Sequence, residues 1–143
     1  MGFIMDIIRK IKKLDLPFGK YAVIGSSSLE IRGIRKSRDI DIVVLPEVFE
    51  KLLEKDEWSF DDTYHKKWSR NRLVYNEAEV YPDMILVKEK ISIDINELIR
   101  TADIIKGIPF MSLDLLILFK RSSGREKDLK DIALIEEYLK INT

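Results

Sequence analysis

Two short apolar runs, held apart by a serine-led segment, constrain this chain more than any other feature. Tyr21-Ala-Val-Ile-Gly25 is closed by glycine and reads as a buried strand. Asp39-Ile-Asp-Ile-Val-Val-Leu45 is rich in β-branched residues, ends at Pro46 and reads as a second, partly buried strand. Between them Ser26 to Ile31 can open a helix with a serine as its N-cap. Strand, helix and strand in quick succession point to an α/β fold.

The flanks agree. Phe3, Ile4, Ile7, Ile8, Ile11 and Leu14 recur at three- and four-residue steps, which makes one apolar stripe on a helix that Pro17 and Gly19 end. Pro46 suits the first position of a helix whose inner face is Val48, Phe49, Leu52 and Leu53. Trp58 to Glu77 is mixed, either a strand pair or an irregular excursion. Glu79 to Val87 and Ile91 to Ile95 read as strands around the charged turn Lys88-Glu-Lys90. Asp94 to Glu97 resembles a capping box opening a helix through Ile105, and Ile108 to Met111 is extended. Ser112 starts a further helix, and Gly124 separates it from a last one over Lys127 to Lys140. The expectation is one domain over residues 1–143: an α/β (α+β) mixed sheet flanked by helices over residues 20–111, then a C-terminal helical pair over 112–141.

At 143 residues the chain has the length of one domain. Lys and Arg together number 25, as do Asp and Glu, so the net charge is zero and bulk-charge coating of nucleic acid is not expected. With no cysteine there is no disulfide scaffold, thiol nucleophile or cysteine-ligated metal. A single histidine, His65, excludes an H-E-x-x-H site. No apolar run approaches the roughly 18 residues that span a bilayer, and the basic, apolar N-terminus lacks a signal-peptide layout. A soluble cytoplasmic protein with no membrane partner is the expectation.

Asp39 and Asp41 lie two apart on a strand, so both side chains leave one face with Cα atoms about 6.6 Å apart. Two carboxylates so placed can converge on Mg²⁺, which demands hard oxygen ligands; two solvated acids at a strand end is the plainer reading of D-x-D alone. The context adds weight. Gly25-Ser26 closes the preceding strand, and a Gly-Ser turn into a helix leaves backbone amides free to hold phosphate. Arg32, Arg35, Lys36 and Arg38 lie between turn and carboxylates and suit a polyanionic substrate. Metal ligands beside a phosphate cradle are the parts of phosphoryl or nucleotidyl transfer.

This arrangement resembles the DNA polymerase β-like nucleotidyltransferase superfamily. Its motif is a hydrophobic residue, Gly, then Gly or Ser, followed after a short gap by Asp, hydrophobic, Asp or Glu, hydrophobic. Here it stands as Ile24-Gly25-Ser26 and Asp39-Ile40-Asp41-Ile42. Arg35-Lys-Ser37-Arg-Asp39-Ile-Asp41 resembles the form found in a small subgroup that includes abortive-infection-type toxins and aminoglycoside-adenylyltransferase-like proteins. The stretch Leu115 to Asp131, with Lys120, Gly124, Arg125, Lys127 and Asp128, is similar to that subgroup's C-terminal element.

The resemblance implies a third carboxylate. Asp83, inside the apolar run Val80 to Leu86, is favoured because an unpaired acid there is costly and metal coordination would account for it. Asp94 is the alternative, with a structural use as a helix N-cap. Pro82 departs from the family's usual strand. The implied chemistry is Mg²⁺-dependent transfer of a nucleoside monophosphate from a nucleoside triphosphate, ATP or another, to a hydroxyl acceptor. Asp39, Asp41 and Asp83 would share two Mg²⁺ ions, with Asp83 also a general base. Gly25, Ser26, Ser27, Arg35, Lys120 and Arg125 would bind the nucleotide. Asp128 and Asp131 read as structural, and Lys120 alone reads equally as a surface lysine with a buried stem. The acceptor, whether small molecule, protein or tRNA, is open.

The competing reading is a weakly active or non-catalytic module of the same fold, one half of a toxin–antitoxin-type pair or a homodimer. A metal-dependent phosphohydrolase is a third. No P-loop and no G-x-G-x-x-G is present. His65, with Lys66, Lys67, Trp68, Arg70 and Arg72, reads as a solvated basic segment, a lid or acceptor surface being the alternative.

Overall fold

The structure is a computed structural model describing residues 2–61 and 72–142, with side chains from residue 6 onward. The chain runs α1 (Gly2–Lys13), β1 (Tyr21–Ile24), α2 (Ser27–Glu30), β2 (Ile40–Val44), α3 (Pro46–Leu53), β3 (Ser59–Phe60), β4 (Leu73–Tyr75), β5 (Ala78–Tyr81), β6 (Ile85–Leu86), β7 (Ile91–Ser92), α4 (Ile95–Arg100), β8 (Asp103–Ile105), β9 (Ile108–Phe110), α5 (Leu113–Ser123) and α6 (Glu126–Ile141). Seven strands form a mixed sheet ordered β3-β4-β5-β2-β1-β9-β8, and β6 pairs with β7 apart from it. The β2–β5 and β1–β9 pairs are parallel; β1–β2 is antiparallel.

Alternation along the central strands sorts their side chains into two cores. Tyr21, Val23, Ile40, Ile42 and Val44 face α1 and α3, where Ile7, Ile8, Ile11, Val48, Phe49 and Leu52 are buried. Ala22, Ile24, Val43 and Tyr81 face the other way, against Leu98, Leu113, Leu116 and Ile135 of α4, α5 and α6. Covering on both faces explains why β1 and β2 are apolar almost throughout. The polar exception is Asp41, on the second face.

The expected α/β architecture with its C-terminal helical pair is the observed one. Ser112 caps α5 by accepting from the Leu115 N–H at 3.2 Å, and Gly124 ends the helix with φ +63°. Asp128 then accepts from the Arg125 N–H at 3.2 Å at the start of α6.

Three expectations need correction. The strand expected over Glu79 to Val87 breaks at Pro82 and Asp83, and its second half leaves the main sheet as β6. Proline has no N–H for a ladder, so the break falls where the sheet can least continue. The helix expected from Asp94 to Ile105 ends at Arg100. Asp103 to Ile105 instead pairs with Ile108 to Phe110 across Lys106 and Gly107, both at positive φ. Such a pair fits a type I′ hairpin turn, and the β-branched residues beside it satisfy their backbones better in a ladder. Asp94 does cap α4, accepting from the Asn96 N–H at 2.9 Å, but Glu97 pairs with Arg100 rather than reaching back. Within the mixed stretch Trp58 to Glu77, β3 and β4 are strands; His65, Lys66, Lys67, Trp68 and Arg70 lie outside the described residues.

Candidate active site

Strand β2 places Asp41 opposite Ile24 of β1 on one side and Glu79 of β5 on the other. The chain leaves β1 at Gly25, with φ +66°, and passes directly against the Asp41 carboxylate. A Cβ at position 25 would stand 3.1 Å from Asp41 Oδ2, so only glycine leaves that carboxylate room. Asp41 Oδ1 is buried with no hydrogen-bond partner. Burial, reinforced by the adjoining Glu79 and Asp39 and only partly relieved by Arg72, pushes the Asp41 carboxyl up to about 8. A buried acid left unsatisfied is rare enough to require an explanation.

Asp39 is exposed at the entrance to β2, near enough to raise the cost of charging Asp41. Ser27 fixes it: the fully buried Ser27 hydroxyl donates to the Asp39 carbonyl at 3.0 Å. The Ser27 hydroxyl is therefore spent on positioning the Asp39 backbone. Ser28 and Leu29 spend their N–H groups on the Gly25 and Ser26 carbonyls within the turn, so these two amides are not available to a ligand.

The charged residues of the two sequence motifs meet in one network. Arg35 donates from Nε and Nη2 to the two oxygens of Asp131 at 2.7 and 2.8 Å, and from Nη2 to Ser26 Oγ at 3.0 Å. Lys120 Nζ reaches Asp131 at 2.8 Å and Asp128 at 3.7 Å, while Arg125 holds Asp128 at 2.8 Å. Burial alone would raise the Asp131 carboxyl, but Arg35 and Lys120 outweigh it and hold it at about 2. Asp128 and Asp131 are thus both held in ion pairs between α5, α6 and the loop before β2. Arg35 commits its guanidinium to Asp131, to Ser26 and to the Lys36 carbonyl, and so braces the Ser26 turn.

Sequence reasoning missed Glu79. Its Oε2 accepts from the Tyr81 hydroxyl at 3.0 Å and its Oε1 pairs with Arg72 at 2.8 Å. Arg72 also grips Asp61; burial opposes its charge, and Asp61, Tyr81 and Glu79 together overcome that. The residues showed only an acid and a tyrosine two apart on one face of a short strand; that this strand lies beside β2 comes from the fold.

A cleft of about 830 Å³ lies between the second face of the sheet, the β6–β7 hairpin and the α5–α6 corner. Of the expected site residues Gly25, Asp41, Lys120 and Arg125 line it; Ser26, Ser27, Arg35, Asp39, Asp83 and Asp94 are not among the described residues that do. Asp83 is half-buried after β5, and Asp94 is exposed and spent on its cap. Among the described residues no three carboxylates or imidazoles gather into a metal-holding group, so the expected trio is not assembled. The pair Asp39 and Asp41 still suits Mg²⁺, which is commonly held by one or two carboxylates with substrate phosphates completing the shell. Asp41 Oδ1 has the unmet demand, and Gly25 the open approach, that such an ion would use.

No family model matches the chain, and no curated protein matches it. Among the described residues no helix is long and apolar enough to cross a membrane.

Proposed function

We propose that the protein is a Mg²⁺-dependent nucleotidyltransferase, moving a nucleoside monophosphate from a nucleoside triphosphate to an acceptor hydroxyl. The observation that carries the reading is the buried Asp41 carboxylate, whose Oδ1 has no hydrogen-bond partner, against the backbone of Gly25 at the wall of a ligand-sized cleft. The motif resemblance supports it independently.

Asp39 and Asp41 are the residues that would hold Mg²⁺. Bound there, the ion supplies charge neutralisation for the triphosphate and a lowered pKa for the acceptor hydroxyl. In the transfer the acceptor oxygen bonds to the α-phosphorus, the bond to the α,β-bridging oxygen breaks, and pyrophosphate leaves. Asp41 must give up its proton before it can serve, which sets a pH requirement on the site. Residues 25–27 supply amides for the terminal phosphates. Lys120 has three N–H donors, one bonded to Asp131 with Asp128 nearby at 3.7 Å, and lines the cleft where an anion could meet it. Asp83 is the base implied by the resemblance, and it must approach the cleft to act.

A second reading, a weakly active or non-catalytic module of this fold acting in a toxin–antitoxin-type pair, draws support from Glu79 being engaged by Arg72 and Tyr81 while Asp83 and Asp94 stand outside the cleft. Incubation with each α-labelled triphosphate and Mg²⁺, with and without cell extract, separates the two. Label on an RNA, protein or small molecule that is lost in Asp39→Ala and Asp41→Ala supports transfer. Absence of label together with one stoichiometric co-purifying protein supports the module.

A further inference from the structure

The β6–β7 hairpin is not used by the transfer reading, yet it builds one wall of the cleft. Met84, Ile85 and Val87 face Leu116 and Phe119 of α5 across it. Val87 is 58% exposed, an apolar side chain left facing open space. The wall is preformed: Ser122 of α5, itself buried, accepts from the Lys88 N–H at 3.1 Å and donates to Glu89 at 2.6 Å. That latch spends the acid of the hairpin tip on α5.

Of the charged residues that line the cleft, Lys90, Lys120 and Arg125 are cations and Asp41 and Asp128 are acids, so cations are in excess. Lys90 stands exposed at the hairpin and Arg125 at the α5–α6 corner. The carboxylates of the corner, Asp128 and Asp131, are already shared among Lys120, Arg125 and Arg35, three cations to two acids.

We infer that the part of the cleft between the β6–β7 hairpin and α5 is an acceptor site for a small amphipathic anion, a molecule with an apolar body and a phosphate or carboxylate. A polycation of the aminoglycoside type fits this part of the cleft less well, because its ammonium groups would meet Lys90 and Arg125, and the adjoining Asp128 is already shared by Lys120 and Arg125. An apolar wall with a few placed charges is the usual build of a small-molecule site, and a cleft of about 830 Å³ is of the right size. The word acceptor rests on the transfer reading; the binding does not.

The test uses the full chain without nucleotide. The fluorescent apolar anion 8-anilinonaphthalene-1-sulfonate is titrated at low ionic strength into wild type, Lys90→Glu, Lys90→Gln and Val87→Asp, with kanamycin as the competing polycation. The expected result is saturable one-to-one binding, weakened roughly tenfold or more by Lys90→Glu and Val87→Asp and less by Lys90→Gln, with no displacement by kanamycin. Both positions are exposed, and thermal melts verify that each variant is folded. Non-saturating binding, equal binding by all four proteins, or displacement by kanamycin would overturn the inference. Because no triphosphate is present, failure of nucleotidyl transfer would appear separately, as absent labelling with this binding intact.

Discussion

Arg35 and Asp131 are 96 residues apart in the chain and form a two-point ion pair, Nε to Oδ1 at 2.7 Å and Nη2 to Oδ2 at 2.8 Å. The pair ties the loop before β2 to the last helix, and through Arg35 Nη2 it braces Ser26 at the turn where the Asp41 site begins. A contact so distant in sequence couples the N-terminal half of the site to the helical pair that closes the cleft.

Replacing Asp131 by alanine leaves Arg35 and the nearly buried Lys120 facing each other without their shared acid. Removing one partner of a buried ion pair costs about 3 kcal/mol, somewhat less here because Arg35 is partly exposed. The expected result is a melting temperature lower by several degrees, read by calorimetry. Since the Asp131 carboxyl is held at about 2, its contribution is present above the usual carboxylate range and is lost as pH falls toward 2.

Gly25→Ala puts a side chain at φ +66° and a Cβ 3.1 Å from Asp41 Oδ2. The left-handed conformation alone costs about 1–2 kcal/mol, and the contact displaces the carboxylate. Transfer activity is expected to fall at least a hundredfold while circular dichroism shows the fold retained, a loss larger than the stability change explains.

The raised Asp41 carboxyl makes a prediction with a definite sign. The folded protein holds this proton up to about pH 8, whereas the unfolded chain releases it near the ordinary carboxylate value. Stability from this group is therefore full at acid pH and is lost as pH rises through about 8, with a slope approaching about 1.4 kcal/mol per pH unit. Denaturant unfolding between these limits should show that decline in wild type and a flatter profile in Asp41→Asn. Mg²⁺ with a triphosphate, which needs the charged form, should offset it.

Ser122→Ala removes the latch between hairpin and α5, leaving the Lys88 N–H and Glu89 without their partner. A cost of about 1–2 kcal/mol is expected. Amide exchange should quicken at Lys88 and Lys90 and stay unchanged in β1 and β2, which would identify the latch as local.

How much of this was readable from the residues varies with how far each signal reaches. β1 and β2 are apolar on both faces and bounded by Gly25 and Pro46, so their burial was plain from composition. The hairpin of β8 and β9 was hidden because Asp94 and Asn96 announce a helix strongly, while nothing local says that it stops after two turns; Lys106-Gly107 was the overlooked cue. Asp39 and Asp41 were legible as a pair on one face. Glu79 was not, because its nearness to Asp41 depends on a parallel register between strands far apart in sequence. The same limit applies to Arg35 and Lys120. Both looked like phosphate ligands, and their convergence on Asp131 exists only once α5 and α6 have packed against the sheet.

Calorimetric titration of Mg²⁺ and a non-hydrolysable triphosphate into wild type and Asp41→Asn at pH 8, with melts confirming that both are folded, bears on the proposed metal site itself. Metal-dependent binding to wild type is expected, weakened about a hundredfold or more in Asp41→Asn. Equal affinity in the two proteins, or binding to wild type that does not change when Mg²⁺ is withdrawn, would contradict it.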